Sequence, residues 1–296
     1  MATVQDLKRR IRSVTNTRKI TKAMELVASA RLRRAQSRIE AMRPYADRML
    51  ELMAVTARAS GSVRLPLLQR RDVRRVALLP ITADRGLAGA FNAQILRRAF
   101  ALERDYRRDG TQVRWLVSGR KGRSTLTFRG YDLVQAWTGF SERPDYGDAQ
   151  ALARRAVELF ANEEVDLVVV VYNRFVSALT QQVTVQELLP IPEKVVESAR
   201  DEEAREAAMR GDFIYEPEPE QILERLLPVY VETELYRALL ESAASEQGAR
   251  MTAMRNASSN AGDLISNLTL AMNRARQAEI TQEILEVVAG ADALTA

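Results

Sequence analysis

The segment "TADRGLAGAFN" (82–92) places Gly86 and Gly89 between an apolar run and a helical pattern. Backbone amides at such a turn can cradle a phosphate at a helix N-terminus. Only a fragment of G-x-G-x-x-G is present, and no G-x-x-x-x-G-K-[ST] occurs, so the stretch reads as a tight strand–helix turn with Asp84 or Asn92 as a cap. "GRKGRS" (119–124) carries Arg120, Lys121 and Arg123, which could hold an anion but read as a solvated basic turn. Glu202, Glu203 and Glu206 sit in a charged stretch, where no pocket would raise a carboxyl pKa for acid–base work. With no histidine and no second carboxylate cluster they make a poor metal site. The absence of histidine and cysteine also excludes Ser–His and Cys–His nucleophiles, zinc fingers and disulfides. These residues supply no catalytic group, metal ligand or cofactor site.

A different chemistry, that of contact, is suggested by "NRARQAEITQEI" (273–284). It sets Arg274, Arg276, Gln277, Glu279, Thr281, Gln282 and Glu283 within three helical turns, covering nearly every face. A terminal helix of a compact domain normally buries an apolar stripe on its core. Two readings stand at this point: a partner that surrounds the helix, or a solvated, fraying end.

The opposite end of the chain is basic. Through residue 50 there are thirteen Lys or Arg against four acids, a local charge of +9 within an overall +5. Basic helices can enter DNA grooves, so a coiled-coil nucleic-acid or protein adaptor is the alternative reading. In a basic zipper, however, the contact region precedes the dimer seam, whereas here charge and seam overlap. Acidic protein loops facing a basic shaft need fewer assumptions. No apolar run reaches the roughly 20 residues of a membrane span, and "MATVQDLKRR" lacks an apolar signal-peptide core. The expected place of work is inside the cell.

The elements that must carry these residues are set by periodicity. Ala28, Leu32, Ala35, Ile39, Met42, Ala46, Met49 and Met53 alternate at spacings of 4 and 3, a heptad seam, with Pro44 expected to bend the helix. A second seam runs through Leu240, Ala244, Gln247, Met251, Met254, Ser258, Ala261, Ile265, Leu268, Met272 and Ala275. Its helix, from about 232 to 288, would be roughly 80 Å long. The simplest mate for each seam is the other, antiparallel. Between them the period changes: 76–82, 113–118 and 166–172 read as strands, 90–108 and 147–163 as helices, and "VTVQELLPIP" (183–192) as a last strand entering a Pro-marked turn. That alternation predicts an α/β layer with a largely parallel sheet. The expected division is a coiled-coil helix over 1–58, an α/β domain over 72–192, a charged insert and connector over 193–230, and a second coiled-coil helix over 231–296.

"RRIRSVTNTRKITKAMELVASARLRRAQ" (9–36), "TADRGLAGAFN" (82–92), "SEQGARMTAMRNASSNA" (245–261) and "NRARQAEITQEILEVVAGA" (273–291) resemble, in order and spacing, the gamma subunit of F-type ATP synthases. "YEPEP" and the run after it, through residue 247, also look like that family. The resemblance implies a Rossmann-like α/β domain flanked by terminal helices that form an antiparallel coiled coil, the central stalk. It implies a non-catalytic rotor: proton flow turns a membrane ring of c subunits, the ring turns gamma, and the off-axis shaft drives the beta sites through different nucleotide affinities. The implied partners are a hexamer of alpha and beta subunits around the C-terminal helix, the epsilon subunit and the c-ring. No nucleic acid, small-molecule substrate or cofactor of its own is implied. With no transit peptide evident, the implied location is the cytoplasmic side of a bacterial plasma membrane.

Residue by residue, Arg276 and Gln277 match the family's pair that bonds an acidic catch loop of beta, and Thr281 and Glu283 match neighbours in that polar zone. Met24 matches a shaft position facing the beta lever region, with Arg250 as a partner position. Ile280, Ile284, Val287 and Val288 match an apolar tip turning in a hydrophobic sleeve. Departures are Arg31 and Leu32 where many relatives carry a Lys-Met pair, and Ala88 where many carry Cys. The 193–212 insert matches no family pattern.

Overall fold

The computed structural model describes residues 3–59, 65–192 and 218–295, with the backbone alone at 58 and 291–295. Along the chain run α1 (Val4–Ala59), a short 3-10 helix (Pro66–Leu68), β1 (Arg75–Pro80), α2 (Phe91–Arg108), β2 (Gln112–Ser118), α3 (Arg120–Phe128), β3 (Leu133–Trp137), α4 (Tyr146–Ala161), β4 (Leu167–Phe175), β5 (Gln181–Leu189) and α5 (Pro219–Thr295). Two compact units emerge: Met1–Ala28 with Met251–Ala296, and Ser29–Arg250.

The larger unit is built on one five-stranded sheet, in the order β3-β2-β1-β4-β5. β1 pairs in parallel with β2 and β4, β2 in parallel with β3, and β5 antiparallel with β4. A central parallel strand covered on both faces should be apolar at every position rather than alternating, and β1 is buried from Val76 to Pro80. Its odd and even residues feed two cores. Ala77, Leu79 and Ile81 join Leu152, Leu159 and Phe160 of α4, Met49 and Met53 of α1, and Leu223, Leu227 and Leu235 of α5. Val76 and Leu78 join Phe91, Ile95 and Ala99 of α2. At about 25 cal/mol per Å² of apolar surface removed from water, these two faces dominate the stability of the unit.

Several boundaries differ from the sequence reading. Residues 120–128 form α3 rather than a solvated basic turn; only Gly122 and Leu126 of this short helix are buried, too few to give a helical period. β3 leaves no strand signal because it is half-buried along most of its length. α5 begins at Pro219, ahead of the expected start at 231, so the connector is shorter than expected. Proline is tolerated in a first helical turn, and Leu223, Leu227 and Tyr230, spaced 4 and 3, are buried in the core beneath. α1 runs through Pro44 without a break. The 193–212 insert lies outside the described residues.

Candidate functional site

The smaller unit is a pair of antiparallel helical segments. Arg255 Nε donates to Glu25 Oε1 at 3.1 Å, and the Arg18 guanidinium carbon lies 3.6 Å from where a Cβ on Gly262 would sit. Seven residues separate the members on each helix, so both pairs belong to one register. Glu25, buried, also accepts from Lys22 Nζ at 3.0 Å. These bonds from Lys22 first, then Arg255, hold its carboxyl below the usual range.

Carrying that register from Arg18 back to Val4, the first residue of α1, moves along α5 from Gly262 to Arg276. α1 stops there because Thr3 caps it: Thr3 Oγ1 accepts the Asp6 N–H at 3.2 Å and donates to Asp6 Oδ2 at 3.0 Å. Burial along α5 agrees. Met254, Ser258 and Ala261 are buried, Ile265, Leu268, Met272 and Ala275 are half-buried, and residues 276–290 are all exposed. From Arg276 to Gly290, α5 is a bare helix. The two readings of 273–284 thus reduce to a geometric fact: the polar residues occupy every face because α1 has ended.

The bare segment has an internal pattern. Ile280, Ile284, Val287 and Val288 are 47%, 57%, 72% and 51% exposed, and their spacing sets them on one face. Arg276 and Gln277 lie one turn earlier, flanking that face. Among the described residues neither Arg276 nor Glu283 has an ion-pair partner, and Thr281 Oγ1 donates to its own helix at Gln277 O, 2.9 Å. Four large aliphatics held in water on a helix are a surface awaiting cover. Met24 of α1 is half-buried, with Ile20, Leu26 and Val27 exposed on the same helix.

Arg250 belongs to the larger unit and is buried, bonded to Glu246 Oε1 at 2.6 Å and to the Gly86 carbonyl at 3.3 Å, and 3.6 Å from Glu142 Oε1. Arg250 thus links α5 to the loops that carry Gly86 and Glu142. Sequence reasoning misses Glu142 and Arg38, whose partners Arg250, Pro144 and Tyr236 lie about a hundred residues or more away in the chain; the i,i+4 spacing of Glu246 and Arg250 is a signal that the sequence does carry.

The start of the turn at 82–92 is bonded within the chain: the N–H groups of Thr82 and Asp84 are taken by Ser118 O and Ser141 Oγ, and its side chains and carbonyls receive the amides that open α3. Asp84 Oδ1 accepts the Arg120 N–H at 2.9 Å, Thr82 Oγ1 accepts that of Gly122 at 2.9 Å, and the Lys121 N–H bonds Ala83 O at 3.0 Å. Asn92 Oδ1 takes the Ala83 N–H at 2.8 Å. Gly119, which opens 119–124, answers to steric need: at φ +95°, its Cβ would sit 2.1 Å from Thr82 O. Among the described residues no cluster of three acidic side chains could hold a metal, and no helix is long and apolar enough to cross a membrane.

A family model described as ATP synthase matches residues 3–294. The chain is 47% identical over 301 residues to an ATP synthase gamma chain of Rubrobacter xylanophilus, covering 100% of both. It is 44% identical to that of Brevibacillus brevis, covering 98% of both. Among solved structures, a chain from the central stalk and c-ring of the Tetrahymena thermophila mitochondrial ATP synthase aligns with a TM-score of 0.58 and 29% identity, over 81% of this chain and 99% of that one. A Euglena gracilis mitochondrial ATP synthase chain, 17% identical, shares the fold with a TM-score of 0.69, over 98% of this chain and 94% of that one.

Proposed function

This chain belongs to the ATP synthase gamma chain family, and on that premise we propose that it is the rotor of a proton-translocating F-type enzyme. It is a non-catalytic subunit; synthesis and hydrolysis of ATP occur elsewhere in the complex. Its C-terminal helix is seated within a hexamer of alpha and beta subunits, and its globular unit stands against epsilon and the c-ring. The chain is held peripherally on the cytoplasmic face of a bacterial plasma membrane.

The observation that carries this reading is the coincidence at Arg276. There α1 ends, burial of α5 ends, and a polar girdle followed by an apolar stripe begins. A ring of partner subunits supplies what α1 no longer does: carboxylates for Arg276, hydrogen-bonding groups for Gln277, Thr281 and Glu283, and an apolar sleeve for Ile280, Ile284, Val287 and Val288. Met24 meets the same ring along the paired portion. Rotation then acts by differential binding, since contacts made at one angle and lost at another bias successive beta sites between nucleotide affinities.

The test is to tag the chain, purify it with its bound subunits from cells of its source, and reconstitute the recovered complex into sealed vesicles. An alpha–beta ATPase should co-purify in stoichiometric amount and pump protons on addition of ATP. Recovery of the chain without that ATPase overturns the reading.

A further inference from the structure

One loop of the globular unit holds both long helices. Glu142, between β3 and α4, accepts a hydrogen bond from Arg31 Nη1 of α1 and lies 3.6 Å from Arg250 of α5 and 3.8 Å from Arg85 in the β1–α2 loop. One heptad along α1 from Arg31, Arg38 reaches the same loop. Its Nη2 donates to the Pro144 carbonyl at 2.5 Å and to the Tyr236 hydroxyl of α5 at 3.1 Å, and lies 3.5 Å from Asp145. Tyr146 then donates to Glu232 of α5 at 2.8 Å. The loop is itself fastened to the sheet, because Asp84 Oδ2 accepts the N–H groups of Gly139 and Ser141 at 2.8 and 3.0 Å, and Ser141 Oγ accepts that of Asp84 at 2.9 Å.

These bonds do more than add stability. An ion pair taken out of water contributes little net free energy compared with apolar packing of the same size. What it provides is direction, since each bond holds one helix at one azimuth. Close packing of α1 on α4 and α5 lies further along, at Met49 and Met53; beside the loop a cleft of about 440 Å³ opens, lined by Arg38, Met42, Tyr146 and Tyr236 among others. At that cleft the polar bonds of Arg38 join α1 to the loop and to α5.

We propose that the loop Glu142–Tyr146, with Glu142 and Arg38 as its anchors, is the torque coupling that stops α1 and α5 from turning against the sheet when load is applied to the globular unit. This rests on the rotor reading above. Glu142 and Arg38 are positioning residues, and their role shows under load rather than in nucleotide chemistry.

The experiment uses the assembled complex in sealed vesicles. It compares wild type, the double variant Glu142→Gln with Arg38→Gln, the single variant Glu142→Gln in case the double does not assemble, and Ile95→Val. Ile95 is buried in α2, far along the chain from the loop, and its variant reports general destabilisation. Proton pumping per ATP hydrolysed is measured at rising proton gradient, alongside hydrolysis with the gradient collapsed by an uncoupler. Expected for the loop variants is uncoupled hydrolysis above half of wild type and pumping per ATP reduced several-fold at high gradient, with Ile95→Val unchanged in that ratio. A wild-type ratio in the loop variants, or the same loss in Ile95→Val, overturns the coupling role while leaving the rotor reading in place. Failure of the wild-type chain to assemble with any ATPase overturns both.

Discussion

Gly119 and Gly147 show how differently one residue type can be constrained. Gly119 has φ +95° and its missing Cβ would fall 2.1 Å from the Thr82 carbonyl oxygen, whereas nothing lies within 4 Å of the corresponding point on Gly147 in α4. Gly119→Ala should therefore destabilise the chain by more than about 3 kcal/mol. Gly147→Ala should raise stability by about 0.5 kcal/mol, from helix propensity alone. Denaturant titration of the two variants checks both signs. At the bare end of α5 the expectation is reversed: Arg276→Ala with Gln277→Ala should leave the unfolding midpoint unmoved, because neither side chain is covered and alanine favours helix. In the assembled enzyme the same pair should slow hydrolysis and pumping together, by the loss of a charge-assisted contact of about 1.5–3 kcal/mol. Wild-type pumping by that variant would remove the contact from the torque path.

At the scale of elements, the pairing of α1 with α5 in the smaller unit carries a pH dependence. Glu25 is held below its ordinary value of 4.5 by Lys22 and Arg255. A lowered folded-state pKa means that its contribution is present above about 4.5 and is lost as pH falls through the folded value. Both cations are more than half exposed, so water screens the pair and the contribution is about 0.5–1 kcal/mol. Thermal midpoints of wild type and Glu25→Gln should differ at pH 7 and converge as the solution is acidified below the folded-state value; a difference that widens in acid would contradict the assignment. Legibility in the sequence also divides by element. The two heptad seams and the central strands are plain, because burial on one stripe or on both faces leaves a period. α3, β3 and the true start of α5 are not, since a short helix with one buried leucine and a half-buried edge strand leave none. Of the contact residues, the polar and apolar groups from Arg276 onward are legible as an oddity of composition. The internal bonds of Arg250 are not legible, because Glu142 and Gly86 are more than a hundred residues away in the chain.

For the whole molecule, stability and assembly are carried by different residues. Truncation after Ala275 removes only side chains that are exposed or not described, so it should shift the unfolding free energy by less than about 0.5 kcal/mol while weakening capture of the alpha–beta ATPase in a pull-down. Loss of stability by several kcal/mol would mean that the tip packs on its own chain. The intact free chain should aggregate more readily than the truncated one, because Ile280, Ile284, Val287 and Val288 are left in water; light scattering at equal concentration compares them.

The Thr3 cap has an evolutionary corollary. Since α1 stops level with Arg276, the bare length of α5 is set by the cap on its partner helix as well as by α5 itself. Each residue of helix added ahead of Thr3 would sheathe about 1.5 Å of the tip. Changes at the Thr3 cap and changes in α5 past Arg276 therefore act on one quantity, and the two should covary in lineages where the surrounding ring has changed its depth.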